Sequence, residues 1–252
     1  MLSHLAMHLY FLLISAIFWF VNLFKQRVSV PPPTDPLLFI SATAAVQKIA
    51  RKEVRGPICR SVYSPFQKNR RIARAVSQRC CHRIALTSSE LIDAYIHRIK
   101  QINHLINAVV FDNFDAARKD AAEVDGMIVG KDEQELNELV RSKPLLGIPF
   151  TVKDAIEVEG MVITCGIYSQ RHNVASRTAE AVMRLREAGG ILLAITNVSE
   201  ACLWTETSNG IYGRTKNPYD VRRSAGGSSG GEGALIGAAA GLVSFALFDI
   251  VC

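Results

Sequence analysis

The chain has 252 residues, 49% of them hydrophobic and 21% charged, enough apolar material to bury a sizeable core. Its net charge of +6 is local: from Arg51 to Arg83 ten Lys and Arg face Glu53 alone, a charge of +9 that leaves −3 elsewhere, and no nucleic-acid-binding module accompanies it. Six cysteines show no metal-ligand spacing, and adjacent Cys80-Cys81 is not a disulfide framework, so neither metal nor cofactor is implied.

No Asp, Glu, Lys or Arg precedes Lys25, and Leu5 to Phe24 is a mostly apolar run of 20 residues, the length that spans a bilayer. A cleaved signal peptide is the rival reading, but the run lacks a basic leader and a small-residue cleavage site. The expectation is a transmembrane helix over residues 1–25, a single-pass N-terminal anchor placing the chain in a membrane, with organelle and orientation open. A Pro-rich linker over 26–40 follows, stiffened by PPPTDP.

The stretch ISATAAVQKIARKEV predicts a helix opened by Ser41 or Thr43. The basic segment from Val54 to Ala85 has weak amphipathic order and reads as a surface insertion, either attracted to anionic lipid or without a role. Thr87 and Glu90 have capping-box spacing, and Leu91, Ile92, Tyr95, Ile96, Ile99 and Ile102 form the apolar face of the helix they open. Phe111 to Val129 predicts another helix and Asp132 to Arg141 a short acidic one.

Leu146 to Val152 reads as a buried strand that ends in Lys153. A lysine there either reaches water along its stem or stays buried, where the charged form of an amine is disfavoured and the neutral amine is a base. Thr178 to Ala188 is helical, Gly189-Gly190 ends it, and ILLAIT supplies a second buried strand. This alternation predicts an α/β sheet with helices on its faces. Asn197-Val-Ser199 matches a glycosylation sequon, but beside a buried strand it is expected to be silent. Cys202, Leu203, Trp204 and Tyr212 suit either core packing or the lining of an apolar pocket.

Ser224 to Ala240, SAGGSSGGEGALIGAAA, sets two glycine pairs around Ser228 and Ser229 and leads into a small-residue helix. Three readings are open: a helix N-cap, a phosphate cradle, and a catalytic loop. The cradle is weakened because the loop lacks the Lys-Ser/Thr ending of a Walker A motif and the G-x-G-x-x-G spacing.

Lys153 followed by SAGGSSGGEGA resembles the amidase signature family, whose members hydrolyse amides with a Ser-Ser-Lys triad. The resemblance runs from Thr87 to about Gly241 and includes TSSELIDAYIHRIKQINHLINAVV, ILLAITNVSEACLW and SNGIYGRTKNPYD in family order. With its apolar N-terminus the chain is most similar to the membrane-associated branch acting on fatty-acid amides. The resemblance implies a partial α/β/α sandwich with a mixed sheet over residues 41–243. It also implies Lys153 as base, and Ser228 as a bridging serine held by a cis peptide after Gly227. Ser229 is then structural, a cap for the following helix, although an exchange of roles between the two serines stays open. Cys202 and Trp204 would line the acyl site, the substrate would be a lipid amide, and no cofactor or oligomeric state is indicated.

One position departs from the family pattern. The family nucleophile stands 24 residues beyond the bridging serine in a G-S-D-I-G-G-S-like run; here that position is Cys252, preceded by LVSFALFDIV. No glycine amides are present there to stabilise an oxyanion. The expectation is therefore a divergent tail over 244–252, a chain truncated before the nucleophile, and no hydrolysis by the chain as written. The alternative is a non-catalytic membrane-anchored fragment that binds lipid or protein.

Overall fold

A computed structural model describes residues 2–23, 28–51 and 86–245; the basic insertion at 54–85 and Cys252 lie outside them. Two strands form the centre. β2 (Pro149–Lys153) and β3 (Ile191–Thr196) are buried along their whole lengths, as strands covered on both faces must be. They pair in parallel, Pro149 opposite Ile191 and Lys153 opposite Thr196. β1 (Val109–Asp112) runs antiparallel to β3, and β8 (Val243–Phe245) runs parallel to β2. The result is a mixed sheet in the order β1-β3-β2-β8.

Side chains alternate across these strands and divide the core in two. Phe150 and Val152 of β2 join Leu192 and Ile195 of β3, and Val182 of α6 (Glu180–Glu187) covers them. The opposite face meets α2 (Ala42–Arg51), α3 (Ser88–Ile106), α4 (Phe114–Ile128) and α7 (Gly230–Gly237), packed with Ile191, Leu193 and Ala194. The fold is α/β, with helices on both faces of the sheet. Between β3 and α7 the chain makes two short antiparallel ladders, β4 (Ser208–Asn209) with β5 (Gly213–Arg214) and β6 (Lys216–Asn217) with β7 (Asp220–Ser224).

The helix α3 opens as its sequence dictates: Thr87 Oγ1 accepts from the Glu90 amide at 3.1 Å and Glu90 Oε2 accepts from the Thr87 amide at 3.0 Å. All six residues of its predicted apolar face are buried. A second capping box, Asp132 with Glu135, starts α5 (Glu133–Ser142).

Three expectations need correction. Residues 111 and 112 belong to β1, not to the helix that follows, because the Asn103 side chain turns the chain at the end of α3. Its Oδ1 accepts from the Ala108 and Val109 amides at 2.9 and 2.8 Å, so the β-branched run meets the edge of β3. The predicted strand at 146–152 begins later, since Leu145 to Ile148 forms a turn closed by the Ile148 amide on Leu145 O at 2.9 Å. The expected transmembrane anchor and membrane location are also overturned. A helix, α1 (Leu2–Leu23), forms in the apolar N-terminal region, with His8, Tyr10 and Ser15 set among its apolar residues. Among the described residues, however, no helix is long and apolar enough to cross a membrane.

Arg98 ties α3 to α7. It is 2% exposed; Nε and Nη2 both donate to Ala238 O, at 2.9 and 2.8 Å, Nη2 also to Pro31 O at 2.8 Å, and Nη1 to Gln101 Oε1 at 2.8 Å. Ala238 closes the C-terminus of α7, where a cation is favoured by the exposed carbonyls. Arg98→Met removes the fork and leaves buried carbonyls unmatched, so urea denaturation is expected to show a loss of about 3 kcal/mol. Arg98→Lys should lose less, because one ammonium replaces part of the fork; a loss below about 1 kcal/mol for the methionine variant contradicts the clamp.

Candidate active site

The buried strand β2 delivers Lys153 with 1% exposure to the face covered by α7. The loop between β7 and α7 delivers Ser228. Lys153 Nζ donates to Ser228 Oγ at 2.8 Å, and the Gly227-Ser228 peptide is cis. The loop is fixed from the other side as well. Ser228 O accepts from the Ser199 amide at 3.2 Å and from Thr207 Oγ1 at 3.3 Å, while Gly226 O accepts from the Thr207 amide at 2.8 Å.

The glycines answer to contact. A Cβ at Gly227 would stand 2.5 Å from Trp204 O, and one at Gly231 would stand 2.6 Å from both Asn197 N and Asn197 O. Neither position has room for a side chain.

Ser229 does not cap the helix as expected. It occupies the N-cap position without a side-chain cap bond, and its Oγ is buried with no hydrogen-bond partner among the described residues. The helix amides find other acceptors: Gly230 N–H donates to Thr207 Oγ1 at 2.8 Å and Gly231 N–H to Asn197 O at 3.2 Å. With those two amides spent on the protein, the phosphate-cradle reading loses the donors of the first helical turn that they supplied.

Sequence reasoning missed the acid beneath this loop. Glu232, 3% exposed, receives hydroxyls from three strands or strand ends: Thr151 Oγ1, Thr196 Oγ1 at 2.8 Å and Ser244 Oγ at 2.6 Å. Burial pushes its carboxyl above the usual range, while the Ser244, Thr151 and Thr196 hydroxyls and the Lys153 charge pull the other way. A lone acid inside the small, apolar run GGEGALIGAAA was the available signal. Asp154 was missed too. It is fully buried beside Lys153 and accepts from the Thr164 amide at 2.8 Å and from the Thr164 hydroxyl. Among the described residues no group of acids, histidines and cysteines is arranged to hold a metal ion.

Cys202 and Trp204 lie on the Ser199–Trp204 segment, which reaches the serine loop through the Ser199 amide and the close approach of Trp204 O to Gly227. Trp204 is 66% and Leu203 70% exposed, so neither packs in the core. Cys202 is half-buried. Asn197 is fully buried, its Nδ2 donating to Gly213 O at 3.1 Å and Thr215 Oγ1 at 3.0 Å, so the sequon is closed in the folded chain.

The arrangement has counterparts among known proteins. Residues 90–247 match the Amidase family model. Fatty-acid amide hydrolase 2-A of Danio rerio is 39% identical over 223 residues, covering 87% of this chain and 36% of the relative. Fatty-acid amide hydrolase 2 of Homo sapiens is 44% identical over 154 residues, covering 61% and 29%. The chain thus spans about a third of the length of these relatives. Among solved structures, a fatty acid amide hydrolase superposes with a TM-score of 0.63 at 23% identity, over 85% of this chain and 31% of that one, a likeness of fold. The 6-aminohexanoate cyclic dimer hydrolase does so with a TM-score of 0.59 at 27% identity, over 82% and 33%. The match to the family model across most of the chain, joined to relatives of the same kind, shows that this protein belongs to the amidase signature family.

Proposed function

We propose that Lys153 and Ser228 form the general-base and proton-relay half of a serine amidase site directed at fatty-acid amides. The observation that carries this reading is the 2.8 Å hydrogen bond between Lys153 Nζ and Ser228 Oγ, made by a buried strand end and a glycine-bounded loop. In its neutral form Lys153 accepts the Ser228 proton as Ser228 Oγ accepts one from the attacking group. The proton returns along the same path to the leaving amine. The substrate class is supported by the fatty-acid amide hydrolase 2 relatives. The exposed side chains of Leu203 and Trp204, beside Cys202, offer apolar surface to an acyl chain.

One observation favours a second reading. The resemblance would put the nucleophile at position 252, which holds Cys252, and LVSFALFDIV ahead of it contains no glycine. On that reading the chain retains the amide without turning it over.

Equilibrium dialysis of the full chain against a labelled long-chain primary amide, with fatty-acid release followed in the same samples, separates the two. The expected result is retention of the amide, weakened about tenfold by Trp204→Ala, with release no faster than in Lys153→Ala. Release more than about tenfold above Lys153→Ala rejects the second reading; Lys153→Ala and Ser228→Ala must then each cost about a hundredfold or more, or the relay assignment fails. Absence of retention overturns the substrate class.

The acid next to the base gives a pH signature. Asp154 is pushed up from its ordinary 3.8 to about 6 by burial, against hydrogen bonds from Thr164 and the Gly166 amide that favour the charged form. The folded state therefore holds this proton more tightly than the unfolded chain. Its contribution to stability is complete below about pH 3.8 and is lost as pH rises through about 6. Urea unfolding at pH 4 and pH 7 should show a drop about 2–3 kcal/mol smaller in Asp154→Asn than in the unsubstituted protein; equal drops contradict the assignment.

A further inference from the structure

Two segments meet beside the relay without taking part in it. The turn Thr164–Gly166 is held by Asp154, whose carboxyl accepts from Thr164 and whose carbonyl accepts from the Cys165 amide at 3.0 Å. The segment Ser199–Trp204 is held by the serine loop through the Ser199 amide on Ser228 O at 3.2 Å. The two are joined backbone to backbone, Ala201 N–H donating to Cys165 O at 2.8 Å, and a Cβ on Gly166 would stand 3.2 Å from Glu200 Cα.

That junction brings together Cys165 and Cys202, both half-buried thiols. Cys202 directly follows Ala201, so the two cysteines stand on adjoining backbones, one at the hydrogen bond and the other one residue from it. A disulfide closes where two such backbones lie about 4.4–6.8 Å apart, Cα to Cα. Cys165, Ala201 and Cys202 have φ of 49°, 51° and 59°, a left-handed conformation that is costly for residues with a Cβ and that the surroundings must impose. Burial pushes the Cys165 thiol up, Cys202 and Asp154 push it further, and Lys153 pulls it down.

We propose that Cys165 and Cys202 are a dithiol modification site, oxidised by hydrogen peroxide to a disulfide that staples the Asp154-held turn to the Ser228-held segment. One thiolate attacks the peroxide: an S–O bond forms, the O–O bond breaks, and the leaving hydroxide takes up a proton as water. The second thiolate then displaces the sulfenic oxygen, which leaves as a second water, and the S–S bond forms. Two electrons pass from the sulfurs to one peroxide, and both thiol protons end in water.

Trypsin separates the two thiols, because Cys165 lies in the peptide Asp154–Arg171 and Cys202 in Glu187–Arg214, each without another cysteine. The full chain is treated with one equivalent of peroxide, alkylated under denaturing conditions, digested and analysed by mass spectrometry. The expected product is these two peptides joined, two hydrogens lighter than their sum and released by dithiothreitol, with the count of alkylatable thiols lowered by two. Cys165→Ser and Cys202→Ser should each abolish the joined product and leave the other cysteine alkylatable, and prior unfolding in urea should remove the preference for this pairing. Recovery of Cys165 and Cys202 as separate alkylated or over-oxidised residues, or bridged to Cys80 or Cys81 instead, overturns the proposal. The readout is independent of amide binding and turnover.

Discussion

The buried carboxyl of Glu232 is the constraint on which the site depends. A carboxylate in an apolar interior is costly unless its oxygens are matched, and here the matching hydroxyls come from Thr151 on β2, Thr196 on β3 and Ser244 on β8. Thr151 stands two residues before Lys153 on the same face of β2, and Glu232 stands four residues after Ser228 in the first turn of α7. The acid therefore fixes the helix start to the strand face that carries the lysine. This contact holds Lys153 and Ser228 together alongside the bonds that the loop makes to Ser199 and Thr207. A negative charge is also favoured at a helix N-terminus, which offsets part of its burial cost.

The helix α7 needs such outside support. Gly230, Gly231, Gly233 and Gly237 occupy half of its eight positions, and each costs about 1 kcal/mol relative to alanine in a helix interior. Gly231 cannot be exchanged for a better helix former, because Asn197 lies where its Cβ would be. The helix is held from its ends instead, by Glu232 on the sheet and by the Arg98 fork on Ala238. Tertiary contact replaces propensity, and both Glu232 and Arg98 are buried.

Much of this was legible in the sequence where a single local pattern decides the outcome. ILLAIT supplied a covered strand, the Thr87–Glu90 box started its helix on the expected residue, and the glycine pairs marked the loop that carries Ser228. Readings failed where a distant partner decides. Phe111 looks helical until β3 is present to pair with it. Ser229 looks like a cap until Thr207 and Asn197 take the helix amides. The roles of Glu232 and Asp154 depend on hydroxyls that are remote in sequence, so their residue types alone carried little signal. The N-terminal run matched a bilayer by length and absence of charge, but such a tally gives little weight to the imidazole, phenol and hydroxyl groups within it.

The sheet order also bears on how the molecule assembles. β2 and β3 are the nearest sheet neighbours along the chain, whereas Val109 pairs with Thr196 and Phe150 with Val243, each across roughly 90 residues. Closing a longer loop costs more entropy, and pairings of this range slow a fold. The central parallel pair therefore has the entropic advantage, about 0.6 kcal/mol for a doubled loop. The two outer pairings cost nearly the same as each other, and the one made by β8 serves the site as well as the sheet, because it brings the Ser244 hydroxyl to the acid four residues after Ser228.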